Sequence, residues 1–247
     1  MIESPTLFGY PRVMSMHILA MVLHIVSASL AFAVYSESNL SADIVTPHFK
    51  YVYDTKIGVE TSYSVWLTTS VPFLIFLNEA LTAGSHLVGS ALWFFGYRER
   101  TDSIRRWVEY AITAGLLEVA ILLGMGERNT WVLLGVLLLN VIIQFSGYQI
   151  DDHLFEGKDA SMYLYIPWLA FVSIFYMVLM NTLNTEQTDG KDINDFGLIT
   201  IVYGVSYAMF GVHQTIVASG WSFYRYNSDE IFVVVSVTAK IILSWVL

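Results

Sequence analysis

The sequence predicts an all-α membrane protein, a bundle of seven transmembrane helices. Three observations carry the prediction. The 247 residues are 55% hydrophobic and 13% charged, with a mean hydropathy of +0.58. The apolar residues gather into seven runs, each long enough or nearly so to cross about 30 Å of hydrocarbon. A lone lysine, Lys240, stands inside the last run.

The runs cover roughly 13–36, 63–96, 104–125, 130–150, 161–183, 196–223 and 230–247. The first is too long for a signal-peptide core and lacks a small-residue cleavage site, so it is expected to be retained. The second is overlong, and Pro72 either kinks it or marks its interfacial start. No repeat or linker divides the chain, so 1–247 is expected to form one domain. The longest loop, 37–62, contains the β-favouring stretch Tyr51–Thr61. Its Lys56-Ile57-Gly58 segment has the residues to turn a short β-hairpin, the other reading being an irregular surface loop.

With seven spans, Arg12, Arg98, Arg100, Arg105, Arg106, Lys158 and Arg225 fall on one side. Lys50, Lys56, Arg128 and Lys191 fall on the other. The positive-inside rule then places the N-terminus in the cytoplasm and the C-terminus outside the cell membrane. That is the reverse of seven-helix receptors. The net charge of −9 supplies no basic patch for nucleic acid. With no cysteine in the chain, disulfides, iron–sulfur clusters and thiolate zinc sites are excluded.

A lone ammonium in hydrocarbon costs about 2.5–3.5 kcal/mol even on the lenient insertion scale. Lys240 therefore needs a reaction or a partner. Away from the first residues of the runs, the other charged residues are Glu79, Glu109 and Glu118, and His17, His24, His86 and His213 add imidazoles. Spans three and seven are parallel, and Lys240 Cα is expected about 10 Å deeper than Glu109 Cα at about 1.5 Å per residue. Helical side chains lean toward the helix N-terminus, which brings the ammonium back toward the carboxylate. The pair reads either as a structural salt bridge or as a lysine forming a Schiff base with an aldehyde, Glu109 being the counterion. Ser236 lies one turn before Lys240 on the same face. Glu79, Thr82 and His86 share one stripe of span two, and with His24 they would line a polar cavity near the amine. Tyr203, Tyr207, Phe210 and Gln214 form a stripe on span six. Such a stripe is core packing, or the wall of a slot for a long flat polyene.

The segment Arg106-Trp107-Val108-Glu109-Tyr110-Ala111-Ile112-Thr113 resembles the Arg-Trp-x-Glu-Tyr signature of heliorhodopsins, microbial-rhodopsin-like retinal proteins of inverted topology. The resemblance implies all-trans retinal on Lys240, Glu109 as counterion and Ser236 beside the Schiff base. It places Tyr110, Thr113, Asn140, Trp168, Phe210 and Gln214 around the chromophore. His24 and His86, with Thr82 and Glu79, would form the proton-accepting cavity. It further implies a photosensor with a slow photocycle, a homodimer joined partly through the first outside loop, and a signalling partner, with no enzymatic reaction and no metal. Some viral members are described as conducting protons, so a light-gated proton channel is the alternative. A non-retinal receptor or transporter with a structural Lys–Glu pair is the second. Two features depart from the family pattern. Ala111 stands where serine is common, and Glu118 adds an acid about 180° around the helix from Glu109.

Overall fold

The computed structural model describes residues 6–7, 10–37, 41–53, 57–96, 100–189, 193–220 and 228–247. Among them are seven long helices: α1 (Arg12–Glu37), α2 (Val71–Phe94), α3 (Arg100–Gly124), α4 (Thr130–Phe155), α5 (Tyr165–Asp189), α6 (Ile193–Ala218) and α7 (Ser228–Val246). Two short strands, β1 (Thr6–Leu7) and β2 (Tyr10–Pro11), pair before α1. A 3-10 turn, Ser161–Leu164, leads into α5.

The first six helices contain windows long and apolar enough to cross a membrane. α7 is 19 residues long and carries Asp229, Glu230 and Lys240. On α1, large apolar residues such as Leu19, Val22, Leu23, Ile25 and Val26 are exposed. A water-soluble helix would bury that stripe; a lipid-facing one leaves it outward. The chain is a multi-pass membrane protein.

The overlong second run resolves into two elements. Between α1 and α2 lies an antiparallel hairpin, β3 (Ala42–Tyr53) with β4 (Ile57–Thr69). Its strands of 12 and 13 residues make it longer than the short hairpin expected. β4 takes the first seven residues assigned from sequence to the second span. α2 begins only after Ser70, whose hydroxyl accepts from Phe73 N at 3.3 Å while Pro72 occupies the first turn. Proline there lacks a donor that would be unpaired anyway, so Pro72 starts the helix and does not kink it. Lys56, named as a hairpin-turn residue, lies outside the described residues.

The hairpin is docked. A bulge at Ile44/Val45 breaks its register, and Val45 N donates to Arg128 O at 2.8 Å in the α3–α4 turn. Thr46 Oγ1 donates to Thr130 Oγ1 at 3.2 Å. Gly126, at φ 94°, makes the left-handed bend that this turn requires. Asn129 then caps α4 by accepting from Trp131 N at 2.9 Å.

The apolar core gathers at the hairpin end. Leu117, Ala120, Ile121, Leu122 and Leu123 of α3 pack there with Leu74, Leu133, Val136, Ile174, Val178 and Leu243. At the opposite end the buried residues are largely polar or charged, among them Asp102, Ser103, Arg106 and Asp151. The bundle is thus sealed by close packing in one half and by ion pairs in the other.

Candidate functional site

Lys240 is placed by α7, on which Ser236, Lys240 and Ser244 follow at intervals of four and are all buried. The lysine ammonium forms a close ion pair with Glu109 Oε1 of α3. It donates also to Thr113 Oγ1 at 2.8 Å and to Thr82 Oγ1 at 3.0 Å. Nζ lies 4.3 Å from the centre of the Tyr110 ring, whose π face favours a cation. Three hydrogen bonds saturate an ammonium. The carboxylate accepts in turn from Thr82 Oγ1 and Ser85 Oγ, each at 3.3 Å, and from Thr113 Oγ1 at 3.2 Å. A buried pair repays its desolvation only with hydrogen bonding of this kind.

From Glu109 a polar column continues between α1, α2 and α3. Arg105 Nη1 lies 3.8 Å from Glu109 Oε2 and donates to the Ser85 hydroxyl, while its Nε donates to Asp102 Oδ1 at 2.6 Å. Asp102 Oδ2 is 3.6 Å from His17 Nε2. His17 Nδ1 meets His86 Nδ1 at 2.8 Å, so one of those two nitrogens carries the shared hydrogen. His86 stacks on His24 with ring centres 5.5 Å apart. His24 Nδ1 donates to Glu79 Oε2 at 2.5 Å, and Ser244 Oγ donates to Glu79 Oε1 at 2.5 Å. The column thereby returns to α7 one turn beyond Lys240.

On the other side of Lys240 lies an aromatic cleft with about 850 Å³ of non-atom space, its open mouth included. Trp107, Tyr110, Phe210 and Phe232 pack together along one part of its lining, and Trp168, Phe171 and Tyr207 add to it. Two of the indoles lie against glycines. A Cβ on Gly147 would fall 2.3 Å from Trp107 Cη2, and one on Gly211 would fall 2.8 Å from Trp168 Cζ2. Flat rings pressed onto bare helix backbone leave a slot between them. The cleft therefore fits a long apolar polyene whose reactive end reaches Lys240, as retinal requires.

The Trp107–Gly147 contact is open to test. Gly147→Ala would push the indole away and break the 2.7 Å hydrogen bond from Trp107 Nε1 to Asp151 Oδ2. Overpacking of this kind costs about 1–3 kcal/mol. We expect a lower Tm in detergent; a Tm equal to that of the parent would show that the site relaxes freely.

The structure brings Thr82, Glu109 and Thr113 together at Lys240, and His24, His86 and Glu79 into the adjoining column. Buried Ser236 lies beside the Tyr110 phenol, outside strict hydrogen-bonding geometry. Tyr110, Trp168, Phe210 and Gln214 line the cleft, whereas Asn140 does not. Asn140 Nδ2 donates to the carbonyls of Tyr110 and Ala111 at 3.2 and 3.1 Å, and Gln144, one turn on, lines the cleft in its place. Residues given no role from sequence also belong to the site. His17, Ser85, Asp102 and Arg105 extend the column. Asp151 closes the floor of the cleft by accepting from Ser103, Arg106, Trp107 and Gln214 at 2.6–3.0 Å. Arg106 also pairs with Asp229 at 2.8 Å, tying α3, α4, α6 and α7 together. Arg105, one turn before Glu109, was the signal available; the Asp151 cluster is made by contacts 44–63 residues apart and left no local pattern.

A seven-helix bundle with a buried lysine–carboxylate pair at the end of an aromatic slot defines the class of microbial rhodopsins. Solved structures agree on the fold. The Exiguobacterium sibiricum rhodopsin is 11% identical at TM-score 0.69, over 95% of this chain and 93% of that one. The light-driven proton pump LR (Mac) from Leptosphaeria maculans is 12% identical at TM-score 0.58, over 95% and 92%. A search of curated proteins finds no match. The heliorhodopsin family model matches residues 13–247, and the chain belongs to that family. It is a retinal-binding photoreceptor in kind.

Proposed function

We propose that this protein is a light sensor in which Lys240 holds all-trans retinal and Glu109 is the counterion. The observation that carries the proposal is the Lys240 ammonium, bonded to Glu109, Thr82 and Thr113 and opening onto the aromatic cleft. Attachment joins Nζ to the aldehyde carbon with loss of water. Retinal so bound supplies absorption of visible light and isomerisation about its polyene. Trp107, Tyr110, Trp168 and Phe210 orient it and exclude water.

Glu109 holds the positive charge at Nζ, and Thr82 and Thr113 fix the direction of its proton. When that charge is displaced from Glu109, the proton has an exit through the Ser85–Arg105–His17–His86 column. We place the N-terminus, and hence the outer end of that column, on the cytoplasmic side by the positive-inside count. The column ends at Glu79 and Ser244, and the hairpin half beyond is filled by Leu74, Leu117, Ile121 and Leu243. A closely packed, largely apolar plug favours a sensor with a slow photocycle over a proton conductor. The hairpin exposes Tyr63, Val65 and Trp66, a face suited to a homodimer that passes the signal to a downstream partner.

Purified protein mixed with all-trans retinal is expected to gain a visible band that hydroxylamine bleaches under illumination. A colourless mixture, from protein shown to be folded, would overturn the proposal.

A further inference from the structure

Glu118 belongs neither to the ion pair nor to the polar column. It lies nine residues beyond Glu109 on α3, fully buried within the apolar hairpin half. Its Oε1 accepts from the Tyr203 hydroxyl at 3.1 Å. Its Oε2 is buried with no donor, and no lysine, arginine or histidine pairs with it among the described residues. Its neighbours along α3, Leu117, Val119 and Ile121, belong to the apolar core.

An ionised carboxylate needs donors or a cation to stay charged where water is excluded. Glu118 has one donor, against five contacts from Lys240, Thr82, Ser85, Thr113 and Arg105 around Glu109. Two carboxyl groups on one helix thus sit in opposite surroundings, and environments of that kind separate the roles of paired acids.

Glu118 is also joined to the cleft. The Tyr203 and Tyr207 rings lie 4.5 Å apart, and Tyr207 lines the cleft as Leu117 does. Tyr207 Oη donates to Ala114 O at 3.1 Å, the carbonyl one turn before Glu118. A change in the shape of the cleft that moves Tyr207 is handed to Tyr203 and so to the Glu118 carboxyl.

We propose that Glu118 is a neutral carboxylic acid, a second proton-holding site whose hydrogen bond from Tyr203 is remade when the cleft changes shape on illumination. The proton stays on Glu118; what changes is the bond it reports. The light response rests on the retinal reading above, whereas the dark protonation does not.

Infrared spectroscopy with isotope-labelled glutamate tests both parts. In the dark, with or without retinal, the full chain is expected to show a protonated-carboxyl C=O band that shifts in D2O and is lost in Glu118→Gln. Light-minus-dark spectra of the retinal-loaded protein are expected to show the same band displaced, and Tyr203→Phe to alter its position. Glu118→Gln removes no charge if the group is neutral, so its visible maximum should match that of the parent. A dark spectrum unchanged by Glu118→Gln, or a visible maximum moved as by loss of a negative charge, would overturn the neutral acid. A dark band that illumination leaves in place would overturn the light coupling. Failure to form any visible band would instead count against the retinal reading and leave the dark assignment to stand on its own spectrum.

Discussion

Replacing Lys240 by alanine is expected to abolish the visible band on addition of retinal, with no residual fraction. In the proposed attachment the amine is the nucleophile, and among the described residues around it no other amine stands ready to replace it. Thr82, Thr113 and Ser236 are hydroxyls, and Arg105 is a guanidinium turned toward Asp102 and Ser85. The same substitution leaves Glu109 buried without its cation. Breaking a buried pair from one side costs about 3–5 kcal/mol. Arg105, at 3.8 Å from the other carboxylate oxygen, offsets part of that cost. Lys240→Ala alone should therefore lose both colour and stability. The double variant Lys240→Ala/Glu109→Gln should regain much of the stability and none of the colour, because the stranded charge is gone while the nucleophile is still missing. Absorbance titration with retinal and thermal unfolding in one detergent give the two readouts. Colour retained in Lys240→Ala would sink the assignment of the attachment site, and with it the sensor.

The second large effect is expected at Glu109. A carboxylate about 4 Å from a positive nitrogen stabilises it by about 4 kcal/mol at an effective dielectric of about 20. That corresponds to roughly a thousandfold in proton occupancy. In Glu109→Gln the amide retains the shape and can still accept from Thr82 and Thr113. The nearest remaining charge is then Arg105, itself paired with Asp102, with Glu79 farther off. The retinal-loaded variant should lose its visible band to the near ultraviolet at neutral pH and recover it on acidification, the recovered band lying to the red of the parent. The sign follows from the charge removed: the protonated nitrogen is favoured by low pH once its counterion is gone. An absorption spectrum identical to that of the parent across pH would exclude Glu109 as counterion.

Much of the fold was legible because hydrocarbon imposes a simple rule. Seven apolar runs became seven helices, and the lysine in the last of them signalled a partner. The start of α2 was obscured because Tyr63–Thr69 is apolar enough to merge with the span that follows. Ser70 and Pro72 did mark the junction, a helix cap followed by an N-terminal proline. Lys240 and Glu109 stood out because lone charges in apolar runs are few and the two helices are parallel. His17 was named as an imidazole within the first run but without its partners, and Asp151 was not named at all, because their roles arise only from packing. His17 gains its partner from α2, 69 residues away. Asp151 reads locally as the polar end of a span, yet it gathers four donors from two other helices, α3 and α6. The glycine–tryptophan contacts likewise had no sequence signal, since neither residue type predicts the other across a helix interface.

The docking of the hairpin bulge on the α3–α4 turn has a mechanical consequence. α3 is gripped at its C-terminal end by Arg128 and Thr130 through Val45 and Thr46, and along its last turns by close-packed leucines. Its N-terminal end, with Arg105, Arg106 and Glu109, is held by ion pairs, which exchange partners more readily than a packed core rearranges. The helix is a cantilever, anchored outside the column and loaded near its tip, so a small push at Glu109 is delivered as motion where Arg106 joins α4 and α7.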